Sequence, residues 1–363
     1  MSSGRKAVAS TYRSAPLLLN LEQKCAPRPD STTAQPFPLP GTSNHGEGWL
    51  LASTWCNLGL WPEASSRTAL CTFREACEAL AVAVGEAAHL GPGDVVLDVG
   101  VGYADQTAVW ASRFGVGRVI GVELSADHVV AARAAQAEGR LAGAGVVELH
   151  LGSANALPVC CEAPKADGTF DAVLCLDCAY HFRTRAAFLS SAGRLLKVGG
   201  TFAAADLVVS DDDDDAHQLV GTRDARTHST FSLVSLASLT RWWLGVRWRR
   251  YWRRAVRRFV AILCDIPPSN LHGLHAYRAS LEESGLDEAI SVQPISERVL
   301  EPFAAHAKRQ HAALKGELTT GESISLWLIG ALFSFVARHR LFEVVIISAR
   351  RSPRALGHTL GSH

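Results

Sequence analysis

From Val95 onward the chain alternates short apolar runs with stretches of helical periodicity. The run Val95 to Val99 is apolar except for Asp98, the pattern of a strand buried on both faces in a parallel sheet. Beyond it the spacing predicts a helix from about Asp105 to Phe114, a strand Arg118 to Val122, a helix Ser125 to Glu138 and a strand Val146 to Leu151. A strand Phe170 to Leu176, a helix Thr184 to Leu196, a turn Lys197 to Gly200 and a strand Thr201 to Ala205 follow. Such alternation implies right-handed βαβ crossovers and a doubly wound sheet. Past Asp206 it lapses until two more strands, Ala289 to Ile295 and Phe342 to Ala349, with a helical insertion between them from Ser296 to Arg340. The expected fold is α/β, a doubly wound, seven-stranded mixed sheet with a helical cap and insertions.

Upstream, Trp49, Leu50, Leu51, Trp55, Leu58, Leu60 and Trp61 form an aromatic segment that leads into a helical pattern from Ala76 to Ala88, ended by Gly91-Pro92-Gly93-Asp94. Residues 1–48 are rich in Ser, Pro, Thr and Gly and lack the apolar area to offset ordering entropy, so they read as a disordered tail. The resulting partition is a tail (1–48), an aromatic cap (49–92), a core (93–210), an insertion (211–284), a C-terminal part with two strands (285–350) and a second tail (351–363).

Composition excludes more than it identifies. With 48% hydrophobic and 20% charged residues the chain is globular, and a net charge of +1 gives no global sign of nucleic acid or of an acidic substrate. Arg5, Lys6 and Arg13 precede any acid, a weak likeness to an organellar transit segment, but the plain reading is a cytoplasmic chain. Nine cysteines form no regular framework, so reduced thiols are expected. Cys175 and Cys178 mimic a redox or metal pair but lack a helix N-terminus and a second pair, so no metal site is expected. The most apolar run, Ile324 to Ala337, is 14 residues, short of the ~20 that cross a bilayer, so no transmembrane helix is expected.

The first strand ends in Asp98-Val-Gly100-Val-Gly102-Tyr-Ala104-Asp105. Glycines at a first βα turn let a ligand approach the backbone at the helix N-terminus. A dinucleotide fingerprint would need Gly or Ala where Asp105 stands, so NAD is disfavoured. Asp98 before the glycines suits a ligand with a positive end, held through an ammonium or a bound water, which points to S-adenosylmethionine (SAM). Glu123 follows Asp98 by 25 positions, at the tip of the second strand, where a carboxylate can accept both ribose hydroxyls.

The segments VLDVGVG, GVELS, GSANALP (152–158), FDAVLCLDCAYHF (170–182) and LLKVGGTF (195–202) stand in the order seen in class I SAM-dependent methyltransferases, which this stretch resembles. Ala179-Tyr180-His181-Phe182 with Arg185 and Phe188, and the later Ile295 to Val299, resemble the small-molecule, sugar- and macrolide-type O-methyltransferases. The resemblance implies SAM as cofactor, held by Asp98, Gly100 and Gly102 at its methionine end and by Glu123 and Leu124 at the ribose. Ser153 and Ala154 would stand beside the adenine and Asp177 near the amino end. Ala104 replaces a frequent third glycine, and Ser153 stands where many members carry an aspartate.

His181, just past the fourth strand, is the candidate base that deprotonates an acceptor hydroxyl, with Asp206 orienting or assisting it. The acceptor is expected to be a small or lipophilic molecule. Two other readings stay open: a membrane-surface lipid-directed or carbon-directed methyltransferase, and a non-catalytic SAM-fold binding protein.

Asp211 to Asp215 precede a basic amphipathic stretch, Arg241 to Leu263, whose first 18 residues carry eight arginines and no acid. On a helical wheel Leu244, Trp248, Trp252, Ala255, Phe259 and Ile262/Leu263 share one face, with Arg247, Arg250, Arg253, Arg254, Arg257 and Arg258 on the other. This predicts a lid with its aromatic face over the acceptor, a membrane-surface helix, or a strip for another partner; nucleic acid is not expected.

Overall fold

The computed structural model describes residues 53–63, 71–141, 145–157, 168–210, 248, 251–316 and 318–353. The predicted N-terminal tail, Trp49 to Leu51, Asp211 to Asp215 and the arginines from Arg241 to Arg250 lie outside these residues, as do Cys160, Cys161 and residues 354–363 of the second tail.

Helix α1 (Phe73–Ala87) starts three residues earlier than its pattern, because Thr72 and Glu75 form a reciprocal capping box ahead of it. Then come β1 (Val95–Val99), α2 (Asp105–Phe114), β2 (Arg118–Glu123), α3 (Ala126–Ala137), β3 (Val146–Leu151), β4 (Phe170–Leu176), α4 (Arg185–Leu195) and β5 (Leu196–Val209). Helix α5 covers residues 251–263, with Trp248 also helical one turn ahead. It is followed by α6 (Leu274–Glu283), β6 (Glu288–Pro294), α7 (Leu300–Ala313), α8 (Thr320–Arg338) and β7 (Phe342–Arg350).

The strands form one seven-stranded mixed sheet in the order β3-β2-β1-β4-β5-β7-β6. Pairing is parallel through β5, and β7 runs antiparallel to both β5 and β6. Alternate residues serve opposite faces: Val96, Leu174 and Ala203 pack under α1 and α2, whereas Leu97, Val173 and Phe202 pack under α4 and α6. The predicted turn Lys197 to Gly200 is a bulge inside β5 rather than a break. Leu196 pairs with Phe170, and pairing resumes with Thr201 opposite Ala172, with Lys197 to Gly199 turned to solvent. The same strand runs on to Val209 because β7 pairs with it that far.

Helix α8 absorbs the apolar run Ile324 to Ala337. By length and composition alone it could cross a membrane, because the helix extends beyond that run to 19 residues. In the fold its Leu326, Ile329, Gly330 and Val336 are buried, part of a layer shared with α7 and α1.

Candidate active site

Between β1 and β4 the strand order reverses, so the crevice at their carboxyl ends is where an open α/β sheet receives a ligand. The β1 turn is shaped by positive φ at Gly100 (81°), Gly102 (57°) and Ala104 (70°). At Gly100 a side chain would run into Cys178 Sγ, while at Gly102 a Cβ would meet nothing nearer than Cys56 Sγ at 3.8 Å. Ala104 holds the left-handed conformation that a third glycine would adopt freely, at a strain of about 1–2 kcal/mol.

Glu123 fixes this turn. Its Oε2 accepts from Gly102 N (2.9 Å) and its Oε1 from Ser125 N (2.9 Å), and each oxygen keeps a lone pair for a hydroxyl. The rings of Tyr103 and His128, tilted against each other, lie beside it. Leu124 is half exposed next to Glu123, and Ser153 and Ala154 stand at the same sheet end because β2 and β3 pair up to Glu123 opposite Leu151. Ser153 Oγ accepts from Asn155 N (3.3 Å), capping a 3₁₀ turn.

Asp98 lies in β1 beneath the glycine turn. It is fully buried, its Oδ2 accepts from Thr107 Oγ1 (2.8 Å), and its Oδ1 has no hydrogen bond. Burial pushes its pKa up to about 7, and its bond to Thr107 ties the turn to α2. Asp177 (φ 56°) accepts from Leu58 N (2.8 Å) and from the Tyr180 hydroxyl. It therefore acts as a loop cap that docks residues 53–63 across the crevice, where Thr54 also meets Asp105.

His181 ends a 3₁₀ turn, Ala179–His181, directly after β4. Its Nδ1 lies 3.2 Å from the carbonyl oxygen of Asp265, just beyond α5. A carbonyl only accepts, so Nδ1 carries the proton and Nε2 presents its lone pair. Burial lowers the pKa of the ring below its ordinary value, so the neutral form holds at physiological pH.

Asp206 makes no hydrogen bond to His181, which corrects the expected pairing. It is fully buried and sits 2.9 Å from Arg185 Nε, close enough for an ion pair but off the hydrogen-bonding angle. Its Oδ1 also accepts from Leu207 N (2.8 Å), and Arg185 lies over the Tyr277 ring. A carboxylate without water needs a cation, and the adjacent Arg185 supplies it.

Two residues outside the sequence reading hold the His181 turn. Asn270 donates to Tyr180 O (3.0 Å) and Phe182 O (2.7 Å) and accepts from Arg185 N (3.0 Å). Asp265 accepts from His181 and, through its carboxylate, from Arg183 (2.8 Å). Both lie late in the insertion, 80 or more residues from their partners, and no spacing signal marks them.

Cys175 and Cys178 place their sulfurs 3.1 Å apart beneath the glycine turn, and burial keeps the Cys175 thiol protonated. The cysteines among the described residues are free, and these residues contain no cluster of three metal-ligating side chains.

Residues 97–204 match the family described as methyltransferase domain. Erythromycin 3''-O-methyltransferase of Saccharopolyspora erythraea is 34% identical over 161 residues, 43% of this chain and 47% of that protein. An O-methyltransferase of Aspergillus sclerotiorum is 29% identical over 182 residues, 50% and 62% of the two chains. The chain thus spans roughly half of the curated relatives it matches. In fold alone, a candidate sarcosine dimethylglycine methyltransferase from Galdieria sulphuraria aligns with a TM-score of 0.59 at 16% identity, over 82% of this chain and 93% of that one. The segment from Leu97 to Ala204 is thus similar to a methyltransferase domain.

Proposed function

We propose that this chain transfers a methyl group from SAM to a hydroxyl of a small, lipophilic acceptor, with His181 as the base. The observation that carries the reading is a neutral histidine, its Nε2 lone pair free of the Asp265 contact, at the sheet end that carries the glycine turn locked by Glu123.

The chain's residues fit the cofactor. Gly102 leaves a lane for a close ligand, and Glu123 retains acceptor capacity for ribose hydroxyls. Leu124 would flank the ribose, and Ser153 and Ala154 the adenine. When bound, SAM supplies an electrophilic methyl on a sulfonium. Around it, His181 Nε2 accepts the hydroxyl proton as the oxygen attacks, while Asp265 O orients the ring. Asp206 and Arg185 support the turn from below. The likeness to O-methyltransferases favours oxygen as the acceptor atom over carbon.

Calorimetric titration with SAM tests the first half: binding is expected, weakened at least tenfold in Glu123→Ala, and its absence from the wild type refutes the reading. Incubation of a library of small alcohols with methyl-labelled SAM tests the second. His181→Ala should lower kcat by about 10²–10⁴ with SAM affinity retained; unchanged turnover would point to a carbon-directed reaction instead.

A further inference from the structure

Helix α5 docks the opposite way round from its wheel. Its inward stripe is Arg253, Val256, Arg257, Val260 and Ala261. Arg257 is buried, donating to Leu341 O (2.9 Å) and Ser210 O (2.8 Å), and Arg253 donates to Arg340 O (2.7 Å). These arginines satisfy carbonyls at and beyond the C-terminal end of α8, where a cation is favoured. The aromatic face is consequently turned outward: Trp248 is 67% exposed, Tyr251 69%, Phe259 61% and Ile262 73%.

Trp252 extends this face onto α8 through edge contacts with Phe335 and His339, and α8 itself exposes Ile324 and Trp327. Arg254 and Arg258 flank the aromatic stripe, exposed and without an ion pair among the described residues. Apolar side chains projecting between unpaired arginines match one surface best, a bilayer whose anionic headgroups meet the arginines as the aromatic rings enter the headgroup region. A water-soluble acidic partner would leave the large apolar side chains unused, and a lid would turn them inward.

We propose that the outer face of α5, with the adjoining part of α8, docks the protein on anionic lipid membranes. This surface is independent of the catalytic reading and is tested without SAM. Purified full-length protein is floated with vesicles of phosphatidylcholine alone and of phosphatidylcholine mixed with phosphatidylglycerol. Partitioning onto the mixed vesicles is expected, weakening as salt rises.

The triple variant Trp248→Ser, Phe259→Ser, Ile262→Ser should lose at least tenfold in partitioning. Arg254→Glu with Arg258→Glu should remove the preference for anionic vesicles, about fivefold or more per arginine. All five positions are exposed, so circular dichroism should report an unchanged fold. Failure of the wild type to bind mixed vesicles overturns the proposal, as does equal binding by the triple variant. A dimer in light scattering that the triple variant abolishes would also overturn it and assign the face to a second copy.

Discussion

Arg185 and Arg257 are both buried cations, yet they answer different needs. Arg185, under the His181 turn, faces the carboxylate of Asp206 and the ring of Tyr277. Arg257, on α5, donates to main-chain carbonyls of Leu341 and Ser210. In the first place a full negative charge has been taken out of water and a cation offsets it. In the second, carbonyls just past the ends of a helix and a strand receive the guanidinium's hydrogen bonds. The two sites should therefore break differently.

The largest effect is expected at the first. Arg185→Ala strands Asp206 and should destabilise by about 3–5 kcal/mol, whereas Arg185→Met with Asp206→Leu should recover most of that; urea unfolding of the three proteins measures it, and no recovery would refute the charge argument. Arg257→Ala leaves uncharged carbonyls behind, which water can reach if α5 lifts, and should lose about 2–3 kcal/mol.

Asp98 sharpens the contrast, being a buried acid with no cation at all. Its raised folded pKa means that its contribution to stability is full below about pH 4 and is lost as pH rises through about 7. Asp98→Asn should gain on the wild type across that window and hold a constant advantage above it, read as a difference in melting temperature between pH 4 and 8. His181 titrates in the opposite sense, losing stability as pH falls below about 6.5, and cancels in that difference. The smallest effect is expected at Ala104→Gly, where relief of left-handed strain is offset by the added freedom of the unfolded chain. Its stability should stay within about 1 kcal/mol of wild type.

The βα core was legible almost residue by residue because its strands are short apolar runs between punctuating turns. Val95–Val99, Asp105–Phe114 and Val146–Leu151 fall where their patterns place them. Gly100, Gly102 and Glu123 were legible because a glycine turn and a strand-tip carboxylate are local signals. Asp206 was misassigned since its partner depends on what a neighbouring helix presents, and Arg185 is known to face it only once α4 is packed. Periodicity likewise grouped the aromatic residues of α5 but not the direction they face, and it joined Arg254 and Arg258, which are exposed, to Arg253 and Arg257, which turn inward. That direction was decided by carbonyls at the end of α8, some 80 residues away. Asn270 and Asp265 left no trace for the same reason, since their bonds exist only between distant segments.

Asn270 has a consequence for how such a chain tolerates change. With Asp265 it re-anchors the polypeptide at the His181 turn after the whole excursion that leaves β5 at Val209. Closing a longer excursion adds only about 0.6 kcal/mol per doubling of its length. The stretch between these anchors can therefore be lengthened, shortened or rewritten while the histidine keeps its place, so a new outer surface can be tried without retuning the chemistry beneath it.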